Sequence, residues 1–238
     1  MYKNKSVLAL IPARGGSKGV SRKNVRHVAG KPLIAWTIGE AKKSLFLDSI
    51  IVSTDDGQIA SVARRSGARV PFMRPKKLAT DKADMMSVVM HALDWTERHG
   101  ERYDYLLLLQ PSSPLRTADD IDGAIRELIQ KRRMSIVSVC EVDHPPHWSN
   151  VLPRSGSMRD FINTRIIGKN RQDIRTFYRI NGAIYIASTK YLKKRPEFVG
   201  ADTYAFIMPK ERSVDIDTEF DLKVADLLLR GDIEGCIR

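Results

Sequence analysis

The chain has 238 residues, 42% of them apolar, which is enough to bury a sizeable core as one large domain, or one domain with an excursion. Nowhere does an apolar run approach the roughly 20 residues that span a bilayer, so a membrane protein is not expected. The formal net charge of +12 favours an anionic partner, whether nucleic acid, acidic membrane or phosphorylated substrate, although a basic solvated surface gives the same balance. In chain order, the opening MYKNKSVLALIPARGG is basic and then apolar, like a signal peptide. The apolar run Val7–Ala13 is short, contains Pro12 and runs into charge, so it reads as a first strand, Val7–Ile11. A glycine-rich loop follows, and Lys31-Pro32 opens a helix to about Lys43, Pro suiting a first turn. Ser49–Ser53 is a second buried strand, and Asp55-Asp56 begins a helix to about Arg65. Arg69–Phe72 is a short strand, Asp84–His99 an amphipathic helix, and Tyr105–Leu109 a central apolar strand. Thr117–Asp120 has the pattern of a capped helix start running to about Lys131. Ser135–Val142 is the next strand. Residues 144–178 break the rhythm, with Pro, Arg, Asn and Gly and little periodicity, as functional or interface segments do. Gly182–Ala187, a helix near Thr189–Arg195, a strand near Tyr204–Met208 and a helix from about Thr218 to Arg230 complete the chain.

Strands that alternate with helices predict an α/β fold with a mostly parallel, doubly wound sheet. The densest cation clusters, Lys131–Arg133 and Lys193–Arg195, fall at predicted helix ends, where they complement the dipole. Nucleic-acid binding is therefore not inferred from charge. Cys140 and Cys236 have neither metal-ligand spacing nor a disulfide framework, which predicts a cytoplasmic, reducing environment.

Four stretches carry candidate chemistry. IPARGGSKGVSRKN, residues 11–24, sets three glycines and the cations Arg14, Lys18, Arg22 and Lys23 directly after a strand. Ligands of α/β sheets are met at that edge, and glycines let backbone N–H groups approach phosphate oxygens while Arg forks onto them. A polyphosphate fits; a solvated turn would have the same composition. Neither Gly-x-x-x-x-Gly-Lys-Ser/Thr nor Gly-x-Gly-x-x-Gly is present. In SVDIDTEFDL, residues 213–222, Asp215 and Asp217 point the same way if the backbone is extended, and paired carboxylates near a polyphosphate suit Mg²⁺. The alternative is that Asp217 or Thr218 merely caps the last helix. Asp55 is either another edge carboxylate or an N-cap. LLLLQPSSPLRTADDI, residues 106–121, ends an apolar strand on Gln110, able to donate and accept toward a sugar. A strand stop explains its prolines, but not the placement of Gln110 and Arg116. RQDIRTFYRINGAIYI, residues 171–186, repeats arginine at Arg171, Arg175 and Arg179, either a carboxylate patch or a solvated face. The five histidines form no zinc pattern, and no Gly-x-Ser-x-Gly elbow is present.

Together these stretches resemble the acylneuraminate cytidylyltransferases, the CMP-sialic acid or CMP-nonulosonate synthetases. IPARGGSKG-xx-RKN, GKPLIAWTI, IIVSTDD, PFMRPKKLATD, LLLQPSSPLR, RINGAIYI and SVDIDTEFDL match that family's motifs in order, from residue 7 to about 229. The resemblance implies a Rossmann-like nucleotidyltransferase fold, one domain over 1–238 with a dimerisation and sugar-site insertion at about 144–178, and a homodimer. It implies that CTP and a nine-carbon 2-keto acid sugar (N-acetylneuraminic, legionaminic, pseudaminic or related) give CMP-sugar and pyrophosphate with Mg²⁺, without nucleic acid or membrane. By position it makes Arg14, Lys18, Arg171 and Asp217 catalytic. It assigns Ala13, Arg14, Gly15, Lys23, Asn24, Arg74 and Ala83 to the nucleotide, and Gln110, Gln172, Arg179 and Asn181 to the sugar. Asp215 and Asp217 would bind the metal. The stretch DHPPHWSN is more like relatives that handle legionaminic, pseudaminic or other modified acids. A cytidylyltransferase for the eight-carbon acid Kdo is the nearest alternative. A non-catalytic nucleotide- or RNA-binding protein is a different class, and the chain lacks the interleaved aromatics of RNA-binding signatures.

Overall fold

The protein is described from a computed structural model, for residues 2–16, 19–159, 161–162 and 175–231. Its elements in chain order are β1 (Val7–Pro12), β2 (His27–Val28), β3 (Lys31–Pro32), α1 (Leu33–Lys43), β4 (Ser49–Ser53), α2 (Gly57–Arg65), α3 (Met85–Arg98), β5 (Tyr105–Leu108), α4 (Ala118–Gln130), β6 (Ser135–Glu141), β7 (Tyr178–Ser188), α5 (Thr189–Lys194), β8 (Thr203–Ile207) and α6 (Glu219–Arg230). Six strands make one sheet in the order β4-β1-β5-β7-β6-β8.

β1 is buried along its whole length because successive side chains serve opposite layers. Val7, Ala9 and Ile11 pack with Ile34 and Ile38 of α1, Ile59 of α2 and Ile121 and Ile125 of α4. Leu8 and Leu10 pack with Val89 and Leu93 of α3 and Leu192 of α5. A third cluster, with Val28, Leu33, Ile216, Leu222 and Ala225, seats α6 and the β2–β3 hairpin over the carboxyl edge of the sheet.

β1 is parallel to β4 and β5, and β6 is parallel to β8, as expected of a mostly parallel sheet. β7 runs antiparallel to both β5 and β6, which periodicity alone did not indicate. The antiparallel pairing of β6 and β7 continues past their ends through Val142 N–H to the Phe177 carbonyl at 3.0 Å. β7 also starts earlier than Gly182, and its register against β6 shifts between Val137 and Val139. The strand expected at Arg69–Phe72 is reduced to isolated bridges, Ile51 with Arg69 and Thr54 with Met73. Pro71 lies between them and has no N–H to donate. The helix expected from Lys31 starts at Leu33, because Ala29 and Gly30 take positive φ (46° and 79°) and turn a two-residue hairpin through Lys31-Pro32. Asp56, not Asp55, caps α2, accepting from Ile59 N–H at 2.9 Å. Among the described residues, no helix is long and apolar enough to cross a membrane.

The far end of α3 is tied to the α2–α3 loop by Arg69, whose two nitrogens donate to Glu101 at 2.6 and 2.8 Å, while Tyr103 Oη donates to the same carboxylate at 2.7 Å. The hydrogen bonds from Arg69 and Tyr103 hold Glu101 down to about 2. A depressed carboxylate contributes stability above its unfolded value and loses it as pH falls through the folded one. Glu101→Gln is therefore expected to lower stability by about 0.5–1 kcal/mol at pH 7, the range for a partly exposed ion pair. In urea titrations, the gap to wild type should shrink as pH falls from above 4.5 toward 2. A gap that does not change with pH would assign the loss to packing.

Candidate active site

The loop after β1 is held open by its neighbours. Ala13, itself buried, donates its N–H to the Ser53 carbonyl at 2.9 Å and extends the β1–β4 pairing. Gly15 N–H donates to Asp55 Oδ1 at 3.0 Å, which assigns that carboxylate to the loop. Arg22 sits in left-handed backbone (φ 51°) and reaches Asp56 at 3.1 Å and Gln58 at 2.7 Å. The buried Asn24 donates Nδ2 to the Arg14 carbonyl at 3.0 Å, bracing the loop from beneath. At Gly19 the loop meets the segment entering α6 so closely that a Cβ would lie 1.9 Å from the Asp217 carbonyl oxygen. No other residue leaves room for that approach.

Opposite this loop stand the ends of β5 and β7 and the segment before α6. Gly182 has φ +76°, and a Cβ there would lie 3.3 Å from Gln110 Oε1 and 3.4 Å from both Asp215 Oδ2 and Ser113 Oγ. Three polar side chains thus converge on one glycine. The Asp215–Asp217 segment is pinned by Ile216 N–H to the Ser112 carbonyl at 2.9 Å. Lys23 Nζ donates to the Ile216 carbonyl and lies 3.4 Å from Asp217 Oδ1. Asp217 is 79% exposed at its side chain, whereas Asp215 Oδ1 is buried without a hydrogen-bond partner. Burial raises the Asp215 carboxyl above its ordinary value, against a Ser112 hydrogen bond, and the neighbouring Asp217 charge raises it further.

Arg14, Lys23, Asn24, Arg74, Gln110 and Asp217, six of the residues singled out from the sequence, line one cleft of about 320 Å³, together with Gly19, Ser112 and Met85. Arg14 Nη2 pairs with Asp81 Oδ1 at 2.7 Å, joining the glycine loop to the Thr80–Ala83 loop. Arg74 is buried beneath the cleft, donating Nε to Ser53 Oγ at 3.0 Å and Nη2 to the Ser53 carbonyl. Burial lowers it to about 10, Asp55 opposing and Arg14 adding to the shift.

Other candidates lie elsewhere. Ala83 does not line this cleft; its N–H closes a turn onto Thr80 at 3.2 Å. Asn181 lies under the surface, its Nδ2 donating to Ser213 Oγ at 2.8 Å and its Oδ1 accepting from Ser138 and from Ala183 N–H at 3.2 Å. Arg179 donates to the Ser213 carbonyl at 3.1 Å. Lys18, Arg171 and Gln172 lie outside the described residues. Gly19 and Ser112 were not singled out; Gly19 sits inside the quoted loop, and only its close approach to Asp217 distinguishes it. Cys140 is buried and free, and Cys236 lies outside the described residues.

A glycine- and cation-bearing loop after the first strand, facing Asp217 across a cleft at the sheet's carboxyl edge with Asp215 buried behind it, is the arrangement of a nucleotide-handling α/β protein. The chain belongs to the cytidylyltransferase family, whose model matches residues 8–147. It is 36% identical to the CMP-N,N'-diacetyllegionaminic acid synthase of Legionella pneumophila, over 97% of this chain and 99% of that one. It is 31% identical to the pseudaminic acid cytidylyltransferase of Campylobacter jejuni, over 96% and 98%. It is 36% identical to the N-acylneuraminate cytidylyltransferase of Escherichia coli, over 92% of this chain and 51% of that longer one. Among solved structures, CMP:2-keto-3-deoxy-manno-octonic acid synthetase complexed with CTP matches with a TM-score of 0.71 at 15% identity, covering 96% and 100% of the two chains. That likeness is one of fold. A non-catalytic nucleotide- or RNA-binding role is set aside, because the chain belongs to a family of cytidylyltransferases.

Proposed function

We propose that the protein transfers CMP from CTP to the anomeric hydroxyl of a nine-carbon 2-keto acid sugar, releasing pyrophosphate. The observation that carries this reading is the single cleft in which Arg14, Lys23, Asn24, Arg74, Gln110 and Asp217 meet. The sugar class comes from relatives of 31–36% identity, named for legionaminic, pseudaminic and N-acylneuraminic acids. The octonic acid synthetase offers only likeness of fold at 15% identity, which ranks the eight-carbon acceptor second.

Arg14, with Lys18 and Lys23, bears the phosphates, while Ala13 and Gly15 shape the loop rather than present donors, their N–H groups being taken by the Ser53 carbonyl and Asp55. Asn24 keeps the loop in that shape through the Arg14 carbonyl. Arg74 and the Thr80–Ala83 loop face the base. Gln110 and Arg179, with Arg171 and Gln172, hold the acceptor and its carboxylate, and Asn181 sets the position of β7 beneath them. The anomeric oxygen bonds to the α-phosphorus and gives up its proton to solvent, while the bond from that phosphorus to the α,β-bridging oxygen breaks and pyrophosphate leaves. Positioning and charge neutralisation supply most of the acceleration. Mg²⁺ fits Asp215 and Asp217: one offers a buried oxygen without a partner, the other an exposed carboxylate. Among the described residues, no group of three or more His, Cys, Asp or Glu could hold a metal, and a two-carboxylate site suits an ion that keeps waters and takes phosphate oxygens. When bound, it neutralises phosphate charge and lowers the pKa of a coordinated hydroxyl. The segment at about 144–178 serves a homodimer in this reading; Val151, Leu152 and Met158 are exposed apolar residues on it.

The test is pyrophosphate release with CTP and Mg²⁺ across N-acetylneuraminic, legionaminic, pseudaminic and Kdo acids. Release with one nine-carbon acid well above Kdo is the expected result. Release with Kdo alone would move the assignment to the eight-carbon class.

A further inference from the structure

Helix α4 starts with a reciprocal cap: Asp120 accepts from Thr117 N–H at 3.0 Å and Thr117 Oγ1 at 2.9 Å, and Thr117 accepts from Asp120 N–H at 3.3 Å. Helix α6 starts with the same motif, Thr218 with Asp221. There the carboxylate is only partly buried, as a cap needs no full burial. Asp120 is only 5% exposed, a costly place for a carboxylate whose cap would work equally well in water. It also accepts a fork from Arg212, Nε to Oδ2 at 2.9 Å and Nη2 to Oδ1 at 2.7 Å. Capping does not require that second partner.

Arg212 stands three residues before Asp215. The segment from Met208 to Asp217 has other anchors. Met208 N–H donates to the Val139 carbonyl at 2.8 Å, Lys210 Nζ donates to the Val142 carbonyl at 3.3 Å, Ser213 is held by Asn181 and Arg179, and Ile216 is held by Ser112 at its N–H and by Lys23 at its carbonyl. These ties lead to β6, β7, the loop after β5 and the glycine loop. The Arg212–Asp120 fork is the tie to α4, and it is bidentate, so it fixes orientation as well as distance. We infer that Asp120 and Arg212 are positioning residues, a strut that sets where Asp215 and Asp217 stand relative to the sheet edge and so tunes metal affinity. This rests on the reading of Asp215 and Asp217 as metal ligands.

Two variants separate the strut from the cap. Arg212→Met keeps the aliphatic stem and the cap but removes the fork; Thr117→Val removes the capping hydroxyl and leaves the fork. Mn²⁺ binding to the enzyme–CTP complex is read by electron paramagnetic resonance, CTP binding without metal by calorimetry, and stability by thermal melts. Arg212→Met is expected to weaken Mn²⁺ about tenfold, the lower end of what losing an outer-shell partner costs because Arg212 acts through the backbone, with metal-free CTP affinity within about threefold. Arg212→Lys, which restores the charge and one hydrogen bond, is expected to recover part of the loss. Thr117→Val should lower the melting temperature and leave Mn²⁺ affinity within about twofold of wild type. If Arg212→Met and Arg212→Lys melt earlier yet bind Mn²⁺ as wild type does, the pair is structural only and the inference fails. Should Asp217→Ala itself leave Mn²⁺ affinity unchanged, the metal reading fails first and takes the strut with it.

Discussion

Asp217→Ala is expected to lower turnover by about 10³-fold while the protein stays folded, the scale at which a single group stabilising transition-state charge is lost. The effect on stability should be small because the side chain is 79% exposed and its ion pair is with Lys23. Such a pair contributes about 0–1 kcal/mol. The interactions that build the start of α6 belong to the Asp217 backbone and to Thr218, and they survive the substitution: Asp217 N–H donates to Asp221 at 3.1 Å. The catalytic loss has a different origin. On the proposed reading, Asp215 alone would then be left to hold a cation against the phosphates, and burial already disfavours its ionised form. Pyrophosphate release measured against Mg²⁺ concentration, beside a urea denaturation curve, separates the two effects. Wild-type rates with an unchanged Mg²⁺ dependence would remove Asp217 from the metal site.

Arg116→Ala is expected to have the opposite profile, destabilising the protein by about 3–5 kcal/mol, as truncating a large buried side chain or breaking a buried polar contact does. Arg116 is 1% exposed and among the largest fully buried side chains. Its Nη1 donates to the Ala183 carbonyl at 2.7 Å and to the Gln110 carbonyl at 3.4 Å, joining the ends of β5 and β7 under the cleft. Burial lowers it to about 10, so it remains charged at neutral pH. Nε and Nη2 have no hydrogen-bond partner, and the nearest opposing charges are those of Asp120 and Glu40. Alanine would leave a cavity and two carbonyls without their donor. Against a typical total of about 5–15 kcal/mol, that brings the protein close to unfolding. Arg116→Met fills much of the space and discards the incompletely paired charge, so it should lose less than about half as much. Midpoints of urea unfolding decide it: an alanine variant within about 1 kcal/mol of wild type would show that the site collapses without cost.

The elements legible in the sequence are those whose signal is local. Val7–Ile11, Ser49–Ser53 and Ser135–Val142 are apolar runs with no competing periodicity, and they lie within one residue of β1, β4 and β6. Thr117 and Thr218 announce their helices through the acid three positions on, and both reciprocal caps form. The cleft was legible in part for the same reason: Arg14, Lys23 and Asn24 share one loop, and Asp217 stands in a short acidic segment. Chemistry carried on a contiguous stretch can be read from composition and spacing.

The tertiary structure decided what depends on partners distant in sequence. β7 runs antiparallel to β6, and periodicity carries no direction. The strand expected at Arg69–Phe72 fails at Pro71, where pairing needs a donor that proline lacks. Asn181 is polar and looks like a ligand to a passing substrate, yet Ser138 and Ser213 hold it below the surface, whereas Ser53 fixes the largely buried Arg74 where it still lines the cleft. The sequence by itself thus determined which residues carry the charge and where the chain must turn. Only the fold decided which of them face the cleft, because burial and hydrogen-bond satisfaction are set by residues that lie between 21 and 43 positions away in these three contacts.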